Sequence, residues 1–562
     1  MSDKNTIINS ARARECFEFV KIVSLAFGVI IKEDMKMKKK MLALLLAVAM
    51  VSSLTVGCGT KEEPAAAPEA TEESTEAEES VLVYGSGDYD SINPIMNEHC
   101  EIKHLLFDSL VTRDGEGNLV PSLATEWSYD EATMTYNFKL NGDAKWHDGE
   151  VFTADDVKFT IEAIKNPENG SENAPNYEEI SSINVISDTE IEFVLSEPNY
   201  AFLDYMTMSI MPEHKLQGED MWESDFFKAP IGTGPYKLDS WDVGQAIVMV
   251  KNEEYFAGAA KIDKVIFKIV TDDSAKALQL QNGELDLAQV TPKDSVAFKN
   301  SEELTVYDMT TADYRGILYN FWNEYWQKNA DLIPAISYAI DRQAIVDAVM
   351  LGEGVVAYSP IQMNKYNYEG VEKYDYDPAK AEAALAAAGC EKDADGFWCR
   401  NGERISFTIN ATPGDQVRID MAQIAAQQLQ EIGLDIKANV PADGIDWGGQ
   451  ECCIIGWGSP FDADDHTYKV FGTDHGANYS GYSNAKVDEY LTKARQTDVD
   501  EERAEYYKQF QIAMAEAPAY TFFCYIDAMF VADNAIKGID ENTVLGHHGV
   551  GIFWNITEWT ME

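Results

Sequence analysis

The sequence predicts an α/β protein, because strand-like and helix-like segments alternate along most of the chain. Residues 80–84 (Ser-Val-Leu-Val-Tyr) have the composition of a short buried strand, and residues 136–140 (Tyr-Asn-Phe-Lys-Leu) alternate with the period of a half-exposed one. Residues 154–165 repeat apolar side chains at helical spacing. Mixed strands and helices of this kind favour an α/β architecture over a helical bundle or an all-β sandwich.

Local signals define the ends of these segments. The turn Trp-His-Asp-Gly at 146–149 follows the second strand, and we expect His147 to be a turn residue. Thr153 and Asp156 have the spacing of a capping box that begins a helix. That helix is predicted to end before Pro167, since proline cannot continue it.

Acidic residues dominate the charge balance. The chain of 562 residues holds 96 Asp and Glu against 44 Lys and Arg, and from residue 58 onward the numbers are 91 and 35. Such a surface repels nucleic acid and anionic lipid, so nucleic acid is not an expected partner. The simplest role of this acidity is solubility, and the alternative is attraction of cationic solutes. The length predicts two or three packed units.

Motif searches indicate neither a cofactor nor a reaction. The eight cysteines include no C-x-x-C pair, which argues against a zinc ribbon or a thioredoxin-like site. Cys390 and Cys399 are close enough in sequence to pair in an oxidising compartment, although two free buried thiols are the simpler expectation. No G-x-S-x-G, H-E-x-x-H, P-loop or dinucleotide fingerprint occurs. We therefore predict no enzyme activity and no cofactor, although counting residues in so acidic a chain does not exclude a glycosidase-like carboxylate pair.

The beginning of the chain resembles an export signal. Four lysines at 36–40 precede an apolar stretch at 41–51, which is short for a membrane span, and small residues lead into Cys58. The ending Leu-Thr-Val-Gly-Cys at 54–58 resembles a bacterial lipobox, with Leu one position earlier than usual. We predict cleavage and lipidation at Cys58, which would anchor the protein to the outer face of the cell membrane. Residues 1–34 precede any signal and are excluded from the fold.

A tether is predicted after the anchor. Residues 59–80 contain eight glutamates and no aromatic or branched aliphatic side chain, so they lack the apolar surface needed to fold. Fully extended they would reach about 70 Å. A lipid anchor with a long tether suits a protein that delivers something to a membrane partner, and it also suits a surface enzyme or adhesin.

Several blocks along the chain together resemble one protein family. These blocks are 123–127 (Leu-Ala-Thr-Glu-Trp), 136–140, 145–149, 152–157, 230–237 (Pro-Ile-Gly-Thr-Gly-Pro-Tyr-Lys), 251–256, 278–287, 336–342, 376–381, 478–484 and 487–488. In this order they resemble the peptide- and nickel-binding proteins of ABC importers, bacterial solute-binding family 5, over about residues 81–540. Asn141 and Pro334 depart from the usual pattern at positions expected to belong to the scaffold.

The resemblance implies a two-lobed, hinge-closing fold of the periplasmic-binding-protein type with an extra inserted subdomain. Its expected parts are 1–57 (upstream extension and signal peptide), 58–80 (lipid-anchored acidic linker), 81–120 (first part of lobe I), 121–224 (inserted subdomain), 225–308 (second part of lobe I), 309–524 (lobe II) and 525–562 (return to lobe I). The implied function is that of an ABC importer's solute-binding component. Its implied partners are a small ligand, the permease and ATPase complex and, through Cys58, the lipid bilayer, with the protein itself a monomer. A surface receptor or chaperone-like binder with the same fold is an alternative.

One wall of the ligand site is expected around a Gly-Trp pair. Peptide-binding proteins of this family hold the ligand ammonium with an aspartate three residues after such a pair, but here Gly456 and Trp457 are followed at that position by Pro460. We expect Phe461 to lie nearby, and Asp462 or Asp464 to take over the ammonium, because a buried ammonium needs a carboxylate. Trp457 is expected to contact the ligand. The alternative is that the acids are exposed loop residues and Trp457 belongs to the core of its lobe.

The other wall is expected near residues 89–101. Tyr89, Glu98 and His99 are the predicted contacts there, whereas His104 is expected to be structural or exposed. The predicted ligand is a short peptide or peptide-like cationic solute. A nickel chelate is the alternative, which His99, His466 and the acidity favour although no tight ligand spacing occurs.

Overall fold

The structure, a computed structural model, describes residues 79–96 and 101–562. Within them the strands are β1 (Val81–Ser86), β2 (Val111–Arg113), β3 (Leu119–Pro121), β4 (Ala124–Asp130), β5 (Thr135–Leu140), β6 (Ile180–Ser187), β7 (Glu190–Leu195), β8 (Tyr236–Asp242), β9 (Ala246–Lys251), β10 (Lys264–Ile269), β11 (Leu287–Val290), β12 (Leu304–Met309), β13 (Tyr314–Tyr319), β14 (Val355–Val356), β15 (Cys390–Lys392), β16 (Trp398–Arg400), β17 (Glu403–Arg404), β18 (Ser406–Asn410), β19 (Asp435–Asn439), β20 (Cys452–Ile455), β21 (Tyr520–Tyr525), β22 (Ala528–Asp533), β23 (Ile536–Lys537) and β24 (Thr560–Met561).

The α-helices of the same residues are α1 (Lys103–Leu106), α2 (Ala154–Lys165), α3 (Phe202–Tyr205), α4 (Glu213–Leu216), α5 (Asp273–Gln281), α6 (Pro292–Ser295), α7 (Glu324–Asn329), α8 (Ile333–Tyr338), α9 (Arg342–Val349), α10 (Pro378–Ala387), α11 (Gln416–Glu431), α12 (Tyr468–Phe471), α13 (Ala485–Arg495) and α14 (Asp500–Glu516). Short 3₁₀ helices are Ala174–Tyr177, Asp225–Lys228, Ala330–Leu332, His547–Gly549 and Ile556–Glu558. None of the described helices is both long enough and apolar enough to cross a membrane.

Three sheets organise the described chain. A seven-stranded sheet has the order β12-β22-β11-β1-β10-β9-β8, in which β1 runs parallel to β10 and β11. A six-stranded sheet has the order β14-β21-β13-β20-β18-β19 and carries a hydrophobic core on each face. A four-stranded antiparallel sheet, β4-β5-β7-β6, has a core of its own that includes residues of α2. The prediction of a two-lobed α/β fold is confirmed.

The elements predicted from local pattern are present. The strand expected at 136–140 is β5, and the strand expected at 80–84 is β1. The helix after Thr153 is α2, which ends at Lys165. The capping box forms there, and the Asp156 carboxylate accepts a hydrogen bond from the Thr153 N–H at 2.9 Å. His147 lies in the predicted turn, where its ring contacts the backbone of residues 232 and 234.

The chain passes twice between the seven-stranded and six-stranded sheets, and we call these two crossings the hinge. The first crossing, residues 310–313, joins β12 to β13, and the second, residues 526–527, joins β21 to β22. The Thr311 hydroxyl donates to the Ile526 carbonyl at 2.6 Å, and the Ile526 N–H donates to the Asp313 carbonyl at 2.9 Å. The two crossings are therefore hydrogen-bonded to each other.

Cys390 and Cys399 are free thiols. They lie on the adjacent strands β15 and β16, where Cys390 pairs with Arg400 and Cys399 with Glu391. Because neighbouring residues of a strand point to opposite faces, the two side chains face away from each other. The alternative of a disulfide is thereby disfavoured. Predictions for residues 1–57, Cys58, most of the 59–80 tether, Glu98 and His99 lie outside the described residues.

Candidate functional site

Gly456 and Gly458 bring the segment after β20 against the hinge. A Cβ atom on Gly456 would lie 1.5 Å from the Tyr314 carbonyl oxygen, and one on Gly458 would lie 2.0 Å from that of Ala312. The Tyr314 N–H donates to the Trp457 carbonyl at 3.0 Å. Only glycine permits this close approach of two backbones, which fixes Trp457 beside the hinge.

Aromatic rings form a row through Trp457. The Trp457 ring is only 2% exposed, and it stacks on His547 with a centroid distance of 5.3 Å and an interplanar angle of 22°. Tyr479 lies 5.7 Å from Trp457 on a tilted plane, and Trp447 lies 4.9 Å from Tyr479. The His466 ring is 5.6 Å from Trp457. The row joins His547 of the C-terminal segment to residues before and after β20.

A buried group of charges surrounds Asp313 in the hinge. Its carboxylate pairs with Arg315 and lies 2.7 Å from His547 Nδ1, and it accepts from the His548 N–H at 2.9 Å. Arg418 reaches the same group, with its Nη2 3.4 Å from His548 Nε2. Two guanidinium groups, one carboxylate and two imidazoles thus meet beside Trp457.

The protonation states of this group follow from burial and charge. Burial opposes ionisation of Asp313, but the Arg315 guanidinium and His547 outweigh it and hold the pKa of Asp313 well below its usual range. Burial lowers the pKa of His547 to about 4, against the opposing effect of Asp313. Burial also lowers the pKa of His548 well below its usual value. Since an ionised carboxylate only accepts, Nδ1 of the neutral His547 carries the proton and Nε2 carries the lone pair.

Asp462, one of the two aspartates expected to meet a ligand ammonium, is held by Arg503. The two guanidinium–carboxylate contacts measure 2.6 and 2.7 Å. Asp462 also accepts from the Asp464 N–H at 2.8 Å. This bidentate pair is the geometry of a strong charge-assisted contact, so the carboxylate already has an internal cation.

Asp464 is fully buried and is held by Arg495. Nη2 of Arg495 lies 2.6 Å from the Asp464 carboxylate, and Tyr205 donates its hydroxyl to the same carboxylate. Nη1 of Arg495 reaches Glu179 at 2.9 Å and the Pro175 carbonyl at 3.1 Å. The pair therefore joins the second lobe to the body built on the four-stranded sheet. The ammonium role of both aspartates stays a prediction. In this conformation each carboxylate pairs with an arginine guanidinium instead of a ligand ammonium.

The other predicted site residues lie in different surroundings. Pro460 is half-buried, whereas Phe461 is exposed and its ring covers the Arg113 guanidinium at 3.9 Å. Tyr89 is half-buried against the core of the seven-stranded sheet, and its hydroxyl accepts from Ser86 at 3.1 Å. His104 is exposed, as expected. Gly456, Trp457 and the two aspartates lie on one segment after β20, and Tyr89 lies after β1 in the seven-stranded sheet.

Sequence reasoning missed the residues around Asp313. The adjacent histidines 547 and 548 lie between Gly546 and Gly549, and this doublet was the only local signal available. Its connection to Asp313 spans 234 residues, and no spacing rule reveals such a contact. Arg418 lies in the first turn of α11, where its sequence context is that of any surface helix.

Comparison with known proteins identifies the family. The model of bacterial extracellular solute-binding proteins, family 5, matches residues 118–517. The chain belongs to this family. Family 5 membership confirms the resemblance read from the motifs and makes the chain the solute-binding component of an ABC importer.

Two family 5 relatives show the range of ligands. The oligopeptide-binding protein AppA of Bacillus subtilis (strain 168) is 28% identical over 556 residues, which cover 93% of this chain and 99% of AppA. The structure of AppA with a nonapeptide has a TM-score of 0.78 at 27% identity and covers 86% of this chain and 99% of that one. NikZ from Campylobacter jejuni in complex with Ni(L-His) has a TM-score of 0.81 at 36% identity, with the same coverage of 86% and 99%.

Proposed function

We propose that this family 5 protein captures a short peptide or peptide-like solute outside the membrane and delivers it to the permease and ATPase of an importer. AppA, which resembles this chain over nearly its whole length, binds peptides. Two lobes joined by a hinge give a route for signalling, because a ligand that contacts both lobes favours their closed arrangement and the permease reads closure.

The observation that carries this proposal is the mixed charge beside Trp457. Asp313 with Arg315 and Arg418 supplies both signs in a buried place next to aromatic rings. A peptide or amino acid brings an ammonium and a carboxylate, and each end needs an opposite charge or several hydrogen bonds when it leaves water.

The roles of Asp462 and Asp464 form a separate part of the proposal. Their position a few residues after Trp457 supports contact with a ligand ammonium. Their arginine partners support the alternative of a structural role. Asp462→Asn and Asp464→Asn separate the two: loss of a ligand contact weakens peptide affinity by roughly a hundredfold, whereas loss of a structural pair lowers the melting temperature and leaves affinity within a few-fold.

A nickel complex of an amino acid is the second candidate ligand. The specific observation is the pair of adjacent imidazoles, His547 and His548, of which His547 stacks on Trp457. NikZ, 36% identical, has been solved with Ni(L-His). Among residues 79–96 and 101–562, no set of three histidine, cysteine or acidic side chains is arranged to hold a metal ion. A complex that brings its own ligands therefore fits better than a bare ion.

The deciding experiment is calorimetric titration of one protein preparation with four probes. These are a peptide mixture, nickel with two equivalents of L-histidine, nickel alone and L-histidine alone. Heat with the peptides, and none with nickel plus histidine, supports the main proposal. Heat only with nickel plus histidine, lost in His547→Phe, supports the second candidate. Binding of none of the four contradicts both.

The cellular setting completes the proposal. We infer that the mature protein begins at a lipidated Cys58 and stands as a monomer on the outer face of the membrane, with lobe boundaries at residues 120, 224, 308 and 524. The signal-like residues 36–57 support the anchor. Cys58→Ala should release the protein from the membrane fraction or leave it unprocessed, and a native N-terminus elsewhere contradicts the anchor.

A further inference from the structure

The lobe of the six-stranded sheet touches the body of the four-stranded sheet, although over residues 101–562 the chain does not pass directly from one to the other. Strands β4 to β7 lie in the chain between β1 and β8, which both belong to the seven-stranded sheet. The strands of the six-stranded sheet lie between β12 and β22 of that same seven-stranded sheet, and the hinge connects them to it. Rotation about the hinge therefore makes or breaks this contact.

One short stretch of the four-stranded body, residues 172–179, receives a row of hydrogen bonds from the six-stranded lobe, and we call it the catch. The donors are the side chains of Arg495, Lys469, Tyr468 and Tyr479, and their acceptors are, in the same order, Glu179 with the Pro175 carbonyl, Asn173, Glu178 and Glu172. The guanidinium lies 2.9 Å from Glu179 and the ammonium 3.1 Å from Asn173. Two cations and two phenols thus meet three carboxylates and an amide.

The donors are held in place within their own lobe. Arg495 is only 1% exposed, and its Nη2 lies 2.6 Å from the Asp464 carboxylate. The guanidinium carbon also lies 3.3 Å from the centroid of the Tyr468 ring. Because these contacts are internal to the six-stranded lobe, rotation about the hinge leaves them intact. Little ordering is then needed when the catch arrives, so more of the hydrogen-bond energy favours the closed arrangement.

A backbone hydrogen bond crosses the same contact. The Tyr200 N–H, which follows β7 in the four-stranded body, donates to the Arg495 carbonyl at 2.9 Å. The two residues lie in bodies that move relative to each other about the hinge. Exchange of the Tyr200 amide hydrogen with water therefore requires the contact to open.

We propose that the catch and its donors form a latch that closes the lobes without a solute. Every donor and acceptor in the latch belongs to the protein, so its energy is available whether or not a solute is bound. Tyr479, which donates to Glu172, is also a member of the aromatic row through Trp457. Closing the latch thus fixes part of the row before a solute arrives. The inference does not depend on which solute the importer carries.

The test is hydrogen–deuterium exchange of the Tyr200 amide in the whole chain, read by mass spectrometry at single-residue resolution. No solute is added, and a guanidinium wash first strips any that was purified with the protein. If the latched state is the majority, the Tyr200 amide should exchange at least about tenfold more slowly than an unstructured amide. Exchange at the unstructured rate overturns the proposal.

Two variants weaken the latch while keeping its shape. Glu179→Gln removes the charge that faces Arg495, and it should speed exchange at Tyr200 roughly tenfold, because a hydrogen bond between two charged groups is weakened. Tyr468→Phe keeps the ring over Arg495 and removes only the hydroxyl that donates to Glu178. It should speed the same exchange roughly fivefold.

The matched control is Glu126→Gln, which removes the exposed partner of Lys139 at 2.7 Å. Glu126 lies on β4, at the opposite edge of the four-stranded sheet from β6, the strand that follows the catch. This variant should leave exchange at Tyr200 unchanged. Amides of the β5–β7 ladder should keep their rates in all three variants, which separates opening of the latch from a general loss of stability. Unchanged exchange at Tyr200 in both latch variants, or equal acceleration at Tyr200 and in the ladder, refutes the latch.

Discussion

Replacing Asp464 by asparagine removes one charge from the buried contact between the second lobe and the body of the four-stranded sheet. The side chain keeps its shape, and its amide oxygen still accepts from Tyr205. Arg495 retains Glu179 at 2.9 Å as its remaining carboxylate. We expect the variant to fold and to be less stable, because the guanidinium stays buried with only part of its compensation.

The magnitude follows from the burial of both partners. Asp464 and Arg495 are 0% and 1% exposed, and breaking a buried ion pair costs 3–5 kcal/mol. The retained Glu179 places Asp464→Asn at the lower end, about 3 kcal/mol. Unfolding of about 480 residues releases roughly 1 kcal/mol per kelvin of entropy. The melting temperature should therefore fall by about 3 °C.

The assay is calorimetric melting of the parent, Asp464→Asn and a matched control. Glu489→Gln removes the exposed partner of Lys493 on α13, the helix that also carries Arg495. A surface pair of this kind contributes less than 1 kcal/mol, so the control should shift by under 1 °C. Peptide affinity should change less than threefold in both variants. A shift below 1 °C in Asp464→Asn together with a hundredfold loss of affinity would refute the structural role argued here.

Two further predictions concern the backbone and pH. Burial raises the pKa of Glu101 to about 7, with an opposing hydrogen bond from Gly551. Folded Glu101 therefore keeps a proton that the unfolded chain releases above pH 4.5. The free energy of unfolding should fall by about 3 kcal/mol as pH rises from 4.5 through 7. In urea unfolding measured across this pH range, Glu101→Gln should lack that pH dependence. Gly456→Ala places a Cβ 1.5 Å from the Tyr314 carbonyl and should cost about 3 kcal/mol or more. In the same unfolding assay Gly448→Ala, whose Cβ would make only an ordinary contact with Asp446 at 3.9 Å, should stay within about 0.5 kcal/mol.

The fold was predictable where the sequence signals are local. The strand at 136–140 and the helix after Thr153 were correct nearly to the residue, because strand alternation and capping chemistry act over a few positions. The two-lobed arrangement came from the ordered family motifs. Periodicity alone gives no register between β1, β10 and β11, whose pairing depends on residues about 180 to 200 positions apart.

The candidate site was predictable only in part. Trp457 was expected beside the ligand, and the structure places it at the hinge. The arginines that hold Asp462 and Asp464 were not anticipated, because Arg503 and Arg495 are 41 and 31 residues away on helices with ordinary sequences. An aspartate beside a tryptophan suggests a ligand contact when its partner is unknown. The arginine partners add a structural role as the alternative, and variants of Asp462 and Asp464 decide between the two.

The bond between the two hinge crossings has a mechanical consequence. Two separate single-chain linkers would let the lobes twist, slide and open independently. Because Thr311 and Ile526 join them, the two crossings are expected to bend together when the lobes rotate. To shift the lobes from 1:99 to 99:1 in favour of the closed state, a solute must bind that state about 5.5 kcal/mol more tightly than the open one. Asp313 belongs to the hinge and also contacts His547. A change in the angle between the lobes should therefore change the geometry beside Trp457.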